Sequence, residues 1–156
     1  MTLEVEVQVA LETGGLPTDV EFRRWVEAAL TGVGYTQDAE VVIRIVNEAE
    51  GASLNRTYRH KAGATNVLSF PFAAPAGVAV DLLGDIVICA PVVVAEAVAQ
   101  HKALPAHWAH LVIHGVLHLF GYDHQDAAQA EAMEQLEIRI LAGLGYPDPY
   151  GETALP

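Results

Sequence analysis

The segment "HGVLHLFGYDH", residues 114–124, constrains the fold of this 156-residue chain more than any other part of the sequence. On a helix, residues four apart share a face, so His114 and His118 project side by side with Cα atoms about 6 Å apart. Gly121 then allows the chain to leave the helix through a left-handed cap, and the following turn can return His124 beneath the first two histidines. Three imidazoles placed in this way can bind one metal ion and leave a fourth position open, as in catalytic zinc sites.

Two interpretations of this segment compete. A pair of histidines four residues apart on an apolar helix is more often part of the core or the surface than a metal site. A third histidine that follows a helix-ending glycine favours the metal site instead. We therefore predict that His114, His118 and His124 bind one zinc ion per chain.

The same helix carries two further histidines, His107 and His110, on one stripe with the predicted ligands. His110 and His114 are also four residues apart, so a metal-binding pair made from them is geometrically possible. His110 is, however, one helical turn farther from His124. We predict that His110, together with Asp123 beside the third ligand, supports the ligands by hydrogen bonding, and that His107 is a core or solvated residue.

The apolar pattern of the whole chain predicts a mixed α/β arrangement. Alternating or β-branched runs predict four strands, in residues 3–11, 39–48, 65–72 and 82–90. Capping residues and helical periodicity predict helices in residues 18–32, 50–63, 106–120 and 126–141, with a further helix that has Pro91 in its first turn. The inner side of the last helix is predicted to comprise Ala130, Met133, Leu136, Ile140 and Leu141. We expect one α+β domain over residues 1–150, with a small mixed four-stranded sheet packed against five to six helices, and a short tail in residues 151–156.

The charge distribution limits the partners of the chain. A net charge of −12 argues against sequence-independent coating of nucleic acid, which needs cations opposite the phosphates. Three of the eight Lys and Arg residues, Arg56, Arg59 and Lys61, lie close together, so an anion site is expected there. The single cysteine, Cys89, excludes an intrachain disulfide and is compatible with the cytoplasm, where we expect the protein. We expect neither a signal peptide nor a membrane span, because the apolar runs are too short.

The histidine segment resembles the zinc-binding motif "HExxHxxGxxH" of metzincin peptidases. In those enzymes the Glu is the general base that activates water, and Gly115 stands in its place here. The substitution argues against peptide hydrolysis by that route. We therefore predict that the chain shares the metal site of these peptidases but catalyses a different reaction.

Three blocks taken together, "LNRTYRHKAGATNVLSFPF", "LLGDIVIC" and "HLVIHGVLHLFGYDH", are similar to the YbeY family of bacterial endoribonucleases, also called rRNA maturation factors. The resemblance implies an α+β fold and a zinc-dependent endoribonuclease specific for single-stranded RNA. It also implies a role in maturation of the 3′ end of 16S rRNA and in ribosome quality control, with the ribosome or its proteins as partners. It places the metal ligands on His114, His118 and His124 and the functionally important arginine on Arg59. The chain has Asn66 where the resemblance favours an acid.

The residues around this site leave several roles open. Arg59 is expected to neutralise charge on the phosphoryl group, with Arg56 and Lys61 contacting RNA nearby. Asp123 and Asp85 are the acids considered as a general base, and neither is assigned. The aromatic residues near the two blocks are interpreted first as core residues and second as stacking platforms for bases: Tyr58, Phe70, Phe72 and Tyr122. The competing functions are a non-catalytic ribosome assembly factor with a structural zinc ion, and a zinc hydrolase that acts on another substrate.

Overall fold

The structure of this protein, a computed structural model, describes residues 2–123 and 125–151. The strands are β1 (Leu3–Val9), β2 (Ala39–Val46), β3 (Val67–Pro71) and β4 (Leu82–Cys89). The helices are α1 (Asp19–Gly32), α2 (Glu48–Arg59), α3 (Ala90–Ala99), α4 (Leu104–Leu119) and α5 (Ala127–Gly143). This arrangement confirms the predicted α+β fold with four strands and five helices. The predicted tail lies outside the described residues except for Gly151, and its boundary stays a prediction.

The four strands form one mixed sheet in the order β1-β2-β4-β3. Strand β2 pairs in parallel with β1 and with β4, whereas β3 runs antiparallel to β4. Strand β3 is therefore an edge strand, and Pro71 is its last residue, where a missing backbone N–H is tolerated. This free edge borders the candidate site described below.

The two faces of the sheet are covered unequally. Alternate side chains of a strand point to opposite faces, and Ile43 and Ile86 belong to the main core together with residues of α1, α4 and α5. Val87 points the other way, into a smaller cluster that includes Leu54 of α2. None of the helices formed by the described residues has the length and apolar character needed to cross a bilayer.

Helix α2 ends four residues before the predicted position. The prediction placed its end at Gly63, but the last helical residue is Arg59, and His60 adopts the left-handed conformation with φ of 56°. The His60 N–H donates to the Arg56 carbonyl at 3.2 Å, and the Asn55 side chain donates to the Gly63 carbonyl at 2.8 Å. Arg59 is thus the last helical residue before the left-handed turn at His60.

Helix α4 ends as the sequence predicts. Gly121 has φ of 91°. Its N–H donates to the His118 carbonyl at 3.0 Å, and the Tyr122 N–H donates to the Leu117 carbonyl at 3.2 Å. These two bonds form a Schellman motif, which requires the left-handed residue that glycine supplies. The chain therefore turns sharply directly after His118.

Gly115 brings the backbone of α4 close to the sheet. A Cβ atom at this position would lie 2.8 Å from Cγ2 of Ile86 on β4. The Ser69 hydroxyl of β3 donates to the Gly115 carbonyl at 2.9 Å. Position 115 therefore points at the sheet, so a glutamate there could not be accommodated without displacing the Ile86 side chain, the helix or β4.

Candidate metal centre

His114 and His118 meet on one side of α4. Their Nε2 atoms are 3.0 Å apart, and their ring planes cross at 76°. Two ligands about 2.0–2.1 Å from a zinc ion in tetrahedral geometry are separated by about 3.4 Å, close to this distance. The pair therefore fits the donor arrangement of a metal site in which each histidine contributes Nε2.

Glu137 of α5 fixes the orientation of His114 from behind. This carboxylate is 0% exposed. It accepts a hydrogen bond from Nδ1 of His114 at 2.5 Å and another from Nε2 of His110 at 3.2 Å, and the Tyr150 hydroxyl also donates to it. Because an ionised carboxylate only accepts, the proton of His114 lies on Nδ1 and the Nε2 lone pair points toward His118. A carboxylate behind a ligating histidine is a common feature of zinc sites.

The pKa of Glu137 keeps this carboxylate ionised. Burial by itself raises the pKa of the group, but the hydrogen bonds that His110 and His114 donate, together with the electrostatic interactions with these residues, outweigh burial and hold it at about 2. Burial and the neighbouring Glu137 raise the pKa of Tyr150 above its usual range. At neutral pH, Glu137 is therefore an anion and Tyr150 a neutral donor.

A second set of donor atoms lies deeper in the protein. His110, His114 and Glu137 each place one ligand atom within 4.8 Å of the others, so this His-His-Glu cluster could hold a metal ion. His110 is only 8% exposed, however, and neither it nor Glu137 lines the cavity onto which His114 and His118 open. The open side of the cluster is therefore the side that carries His118.

The cavity has a volume of 710 Å³ and lies between three elements. One wall is the free edge of the sheet, residues 65–71, and another is α4 with His114 and His118. The end of α2 contributes Tyr58 and Arg59, and Asp123 and Gln125 complete the wall. An arginine, two imidazoles and a hydroxyl from Ser69 thus face one space that is large enough for part of a polymeric ligand.

The structure brings only some of the predicted site residues together. His114, His118, Arg59 and Asp123 line the cavity, whereas Arg56 and Lys61 are exposed and do not belong to the described wall. His124 lies outside the described residues, so its role as third ligand stays a prediction.

Two of the remaining acids and histidines lie away from the cavity. His107 is buried at 3% exposure, and its Nε2 is 2.9 Å from Oε1 of Glu96, which also accepts from Asn66 at 3.1 Å. His107 is thus a core residue, one of the two alternatives predicted for it. Asp85 is exposed on the sheet face opposite α4 and does not line the cavity. The amide of Asn66 suits its contact with Glu96, because an acid at position 66 would face the Glu96 carboxylate.

Sequence reasoning missed Glu137 and Tyr150. A signal for Glu137 was present, because Met133, Leu136, Ile140 and Leu141 define the inner face of α5 and position 137 falls within it. A charged residue inside an apolar face needs a partner. Tyr150 follows the last helix and carries no comparable signal.

Comparisons with known proteins identify one family of similar chains. The family model described as Endoribonuclease YbeY matches residues 13–145. The protein named Endoribonuclease YbeY from Nitrosococcus oceani is 55% identical over 152 residues, which cover 96% of this chain and 98% of that protein. Its namesake from Stenotrophomonas maltophilia is 59% identical over 152 residues, 95% of this chain and 93% of that protein.

A solved structure supports the fold independently. The solution structure of a protein from Thermotoga maritima aligns with a TM-score of 0.55 and 24% sequence identity. The alignment covers 94% of this chain and 99% of that one. Together with the full-length sequence matches, these findings establish that the chain belongs to the endoribonuclease YbeY family.

Proposed function

We propose that this chain is a metal-dependent endoribonuclease that cleaves single-stranded RNA. The observation that carries the proposal is the His114–His118 pair, held from behind by a buried carboxylate and open to a cavity that also contains Arg59. This combination places metal-binding nitrogens and a permanent cation around one space. The endoribonuclease names of the relatives agree with this chemistry.

The metal proposed for the site is zinc, one ion per chain, held by His114, His118 and His124. Imidazole nitrogens suit zinc, and the Glu137–His114 hydrogen bond makes the ligating nitrogen more basic. When bound, zinc would supply Lewis acidity toward a phosphate oxygen and lower the pKa of water. The ligand set does not depend on Glu137 binding the ion, because its oxygens already accept from three donors.

Arg59 is the proposed catalytic residue outside the metal ligands. Among the described residues of the cavity wall it is the only lysine or arginine. Its planar guanidinium can donate two parallel hydrogen bonds to phosphoryl oxygens and stabilise the charge that develops on them. Arg56 and Lys61, exposed near the same end of α2, would contact phosphates beyond the cavity.

The proposed substrate is the 3′ end of the small-subunit ribosomal RNA precursor, in 16S rRNA maturation and ribosome quality control. A chain with a net charge of −12 binds naked RNA weakly, and its binding depends strongly on salt. Contacts with the ribosome or its proteins in the cytoplasm would therefore direct it to this RNA. We assign the activity to a single domain, residues 1–150.

Cleavage assays with the purified protein on single-stranded and duplex RNA test this proposal. We expect Arg59→Glu to lose at least about 100-fold in cleavage, as removal of a transition-state donor typically costs, with unchanged zinc content. Arg24→Glu, an exposed arginine on α1, is the matched control and should cleave like the wild type. His114→Ala should lose both zinc and cleavage.

Retained cleavage in Arg59→Glu would remove the role assigned to this residue. Cleavage by His114→Ala equal to that of the wild type would point to a contaminating nuclease. A zinc-loaded wild-type protein that cleaves no RNA would instead favour the non-catalytic assembly factor.

A further inference from the structure

Tyr58 is an exposed aromatic residue at the mouth of the cavity. It immediately precedes Arg59 at the end of α2, and both residues line the cavity wall. The residue is 60% exposed, so the first interpretation of it as part of the core is wrong. Exposed aromatic surface beside a site is frequently a contact surface for a ligand.

Phe70 supports the Tyr58 ring from the sheet. The two ring centroids are 5.0 Å apart with an interplanar angle of 72°. Phe70 and Leu54 both pack against the small cluster on this face of the sheet, and Leu54 lies one helical turn before Tyr58. An edge-to-face contact covers at most one face of the Tyr58 ring, so the ring is held in place while a large part of it stays open.

A similar aromatic pair lies on the other side of the sheet, and its tyrosine is less exposed than Tyr58. Tyr35 and Phe120 have centroids 5.2 Å apart, and Tyr35 is half-buried against the main core. Tyr58 has the same kind of partner but extends beyond the small cluster toward the cavity. Packing against Phe70 therefore does not account for the exposed part of the ring.

We propose that Tyr58, supported by Phe70, is a stacking platform for an unpaired base of the nucleic acid whose phosphate contacts Arg59. This inference rests on the proposed function and adds a physical basis for the preference for single strands. A base in a duplex is stacked on its neighbours and cannot offer its face, whereas an unpaired base can stack on an aromatic side chain. The adjacent guanidinium provides the charge complementarity that a neutral ring lacks.

Fluorescence anisotropy with the zinc-loaded protein tests the platform without depending on cleavage. The probe is a labelled single-stranded RNA of about ten nucleotides with phosphorothioate linkages, and a duplex of the same sequence is measured alongside. Tyr58→Ala should weaken single-strand binding by about 5- to 150-fold, the range for loss of one stacked base. Tyr58→Phe, which keeps the ring, should bind the single strand with the affinity of the wild type. Val98→Ala, an exposed apolar residue on α3, is the matched control.

Tyr58→Leu keeps an apolar side chain against Phe70 but has no aromatic ring. We expect it to lose single-strand affinity as Tyr58→Ala does, which separates base stacking from support of the fold. Binding of the single strand by Tyr58→Ala within twofold of the wild type would overturn the proposal. Equal losses on the single strand and the duplex would overturn it too, because the ring would then not contact an unpaired base. Absence of RNA cleavage by the wild type would refute the proposed function, while the anisotropy comparison would still decide whether Tyr58 binds a base.

Discussion

The change Glu137→Gln should weaken zinc binding by disturbing the hydrogen bonds that orient His114, a proposed ligand. Oε2 of Glu137 accepts from Nδ1 of His114, whereas Oε1 accepts from His110 and from the Tyr150 hydroxyl. A glutamine has nearly the same shape but offers one acceptor oxygen and one donor nitrogen. If its oxygen takes the Oε1 position, its NH₂ group faces His114, which must then move its proton from Nδ1 to Nε2.

The alternative amide orientation keeps the bond to His114 but places the NH₂ group against His110 and Tyr150, two donors. The first orientation therefore loses or reverses one of the three hydrogen bonds, and the second loses or reverses two. Loss of a partner behind a metal ligand typically lowers metal affinity by about 10- to 100-fold, or about 1.4–2.7 kcal/mol. Because Glu137 is 0% exposed, no water replaces the lost acceptor, and we expect a value near the upper end of this range.

Competition with a chromophoric zinc chelator measures this loss directly, and long-range nitrogen NMR of His114 reports which ring nitrogen carries the proton. Glu131→Gln, an exposed acid on the same helix, is the matched control and should leave both readings unchanged. Zinc affinity in Glu137→Gln within twofold of the wild type, with the His114 proton still on Nδ1, would refute the assigned role of the carboxylate.

Two further predictions concern stability. Gly115→Ala should lower the free energy of unfolding by about 1–3 kcal/mol, because its Cβ would clash with Ile86; urea titration measures this against Gly143→Ala, which meets no neighbouring atom within 4 Å. An unchanged urea midpoint in Gly115→Ala would contradict the close approach of α4 to the sheet. Burial is the largest influence on the pKa of His107 and lowers it, although the hydrogen bond to Glu96 acts in the opposite direction. The unfolded chain then takes up a proton before the folded one, so stability should fall by at most about 1.4 kcal/mol per pH unit as the pH drops below about 6.5 toward the lowered folded value. Urea unfolding from about pH 7.5 to about 5.5 should show a smaller slope in His107→Gln, and an equal slope would exclude His107 as the cause.

Local patterns in the sequence predicted most of the fold. The left-handed cap at Gly121 and the apolar runs of the four strands depend on neighbouring residues, so they could be identified without tertiary information. The end of α2 could not, because His60 adopts a left-handed conformation that glycine usually supplies. The sequence therefore predicted that α2 ends at Gly63.

The candidate site was predictable where its residues are close in sequence. His114 and His118 lie on consecutive turns of one helix, and a single motif identifies both. Glu137 comes from a different helix, and its role depends on how α5 packs against α4, which no local pattern reports. The packing reason for Gly115 was hidden in the same way, because Ile86 lies on another strand.

The hydrogen bond between Glu137 and His114 orients the imidazole and also joins helix α5 to helix α4. Separation of α5 from α4 would leave His114 without its anion, so local opening of the C-terminal helix would favour release of an ion bound by His114. By mass action, an ion that binds only the closed helix pair would also stabilise that pair. The affinity for a bound ion would therefore depend partly on the stability of α5, a helix that does not itself line the described cavity.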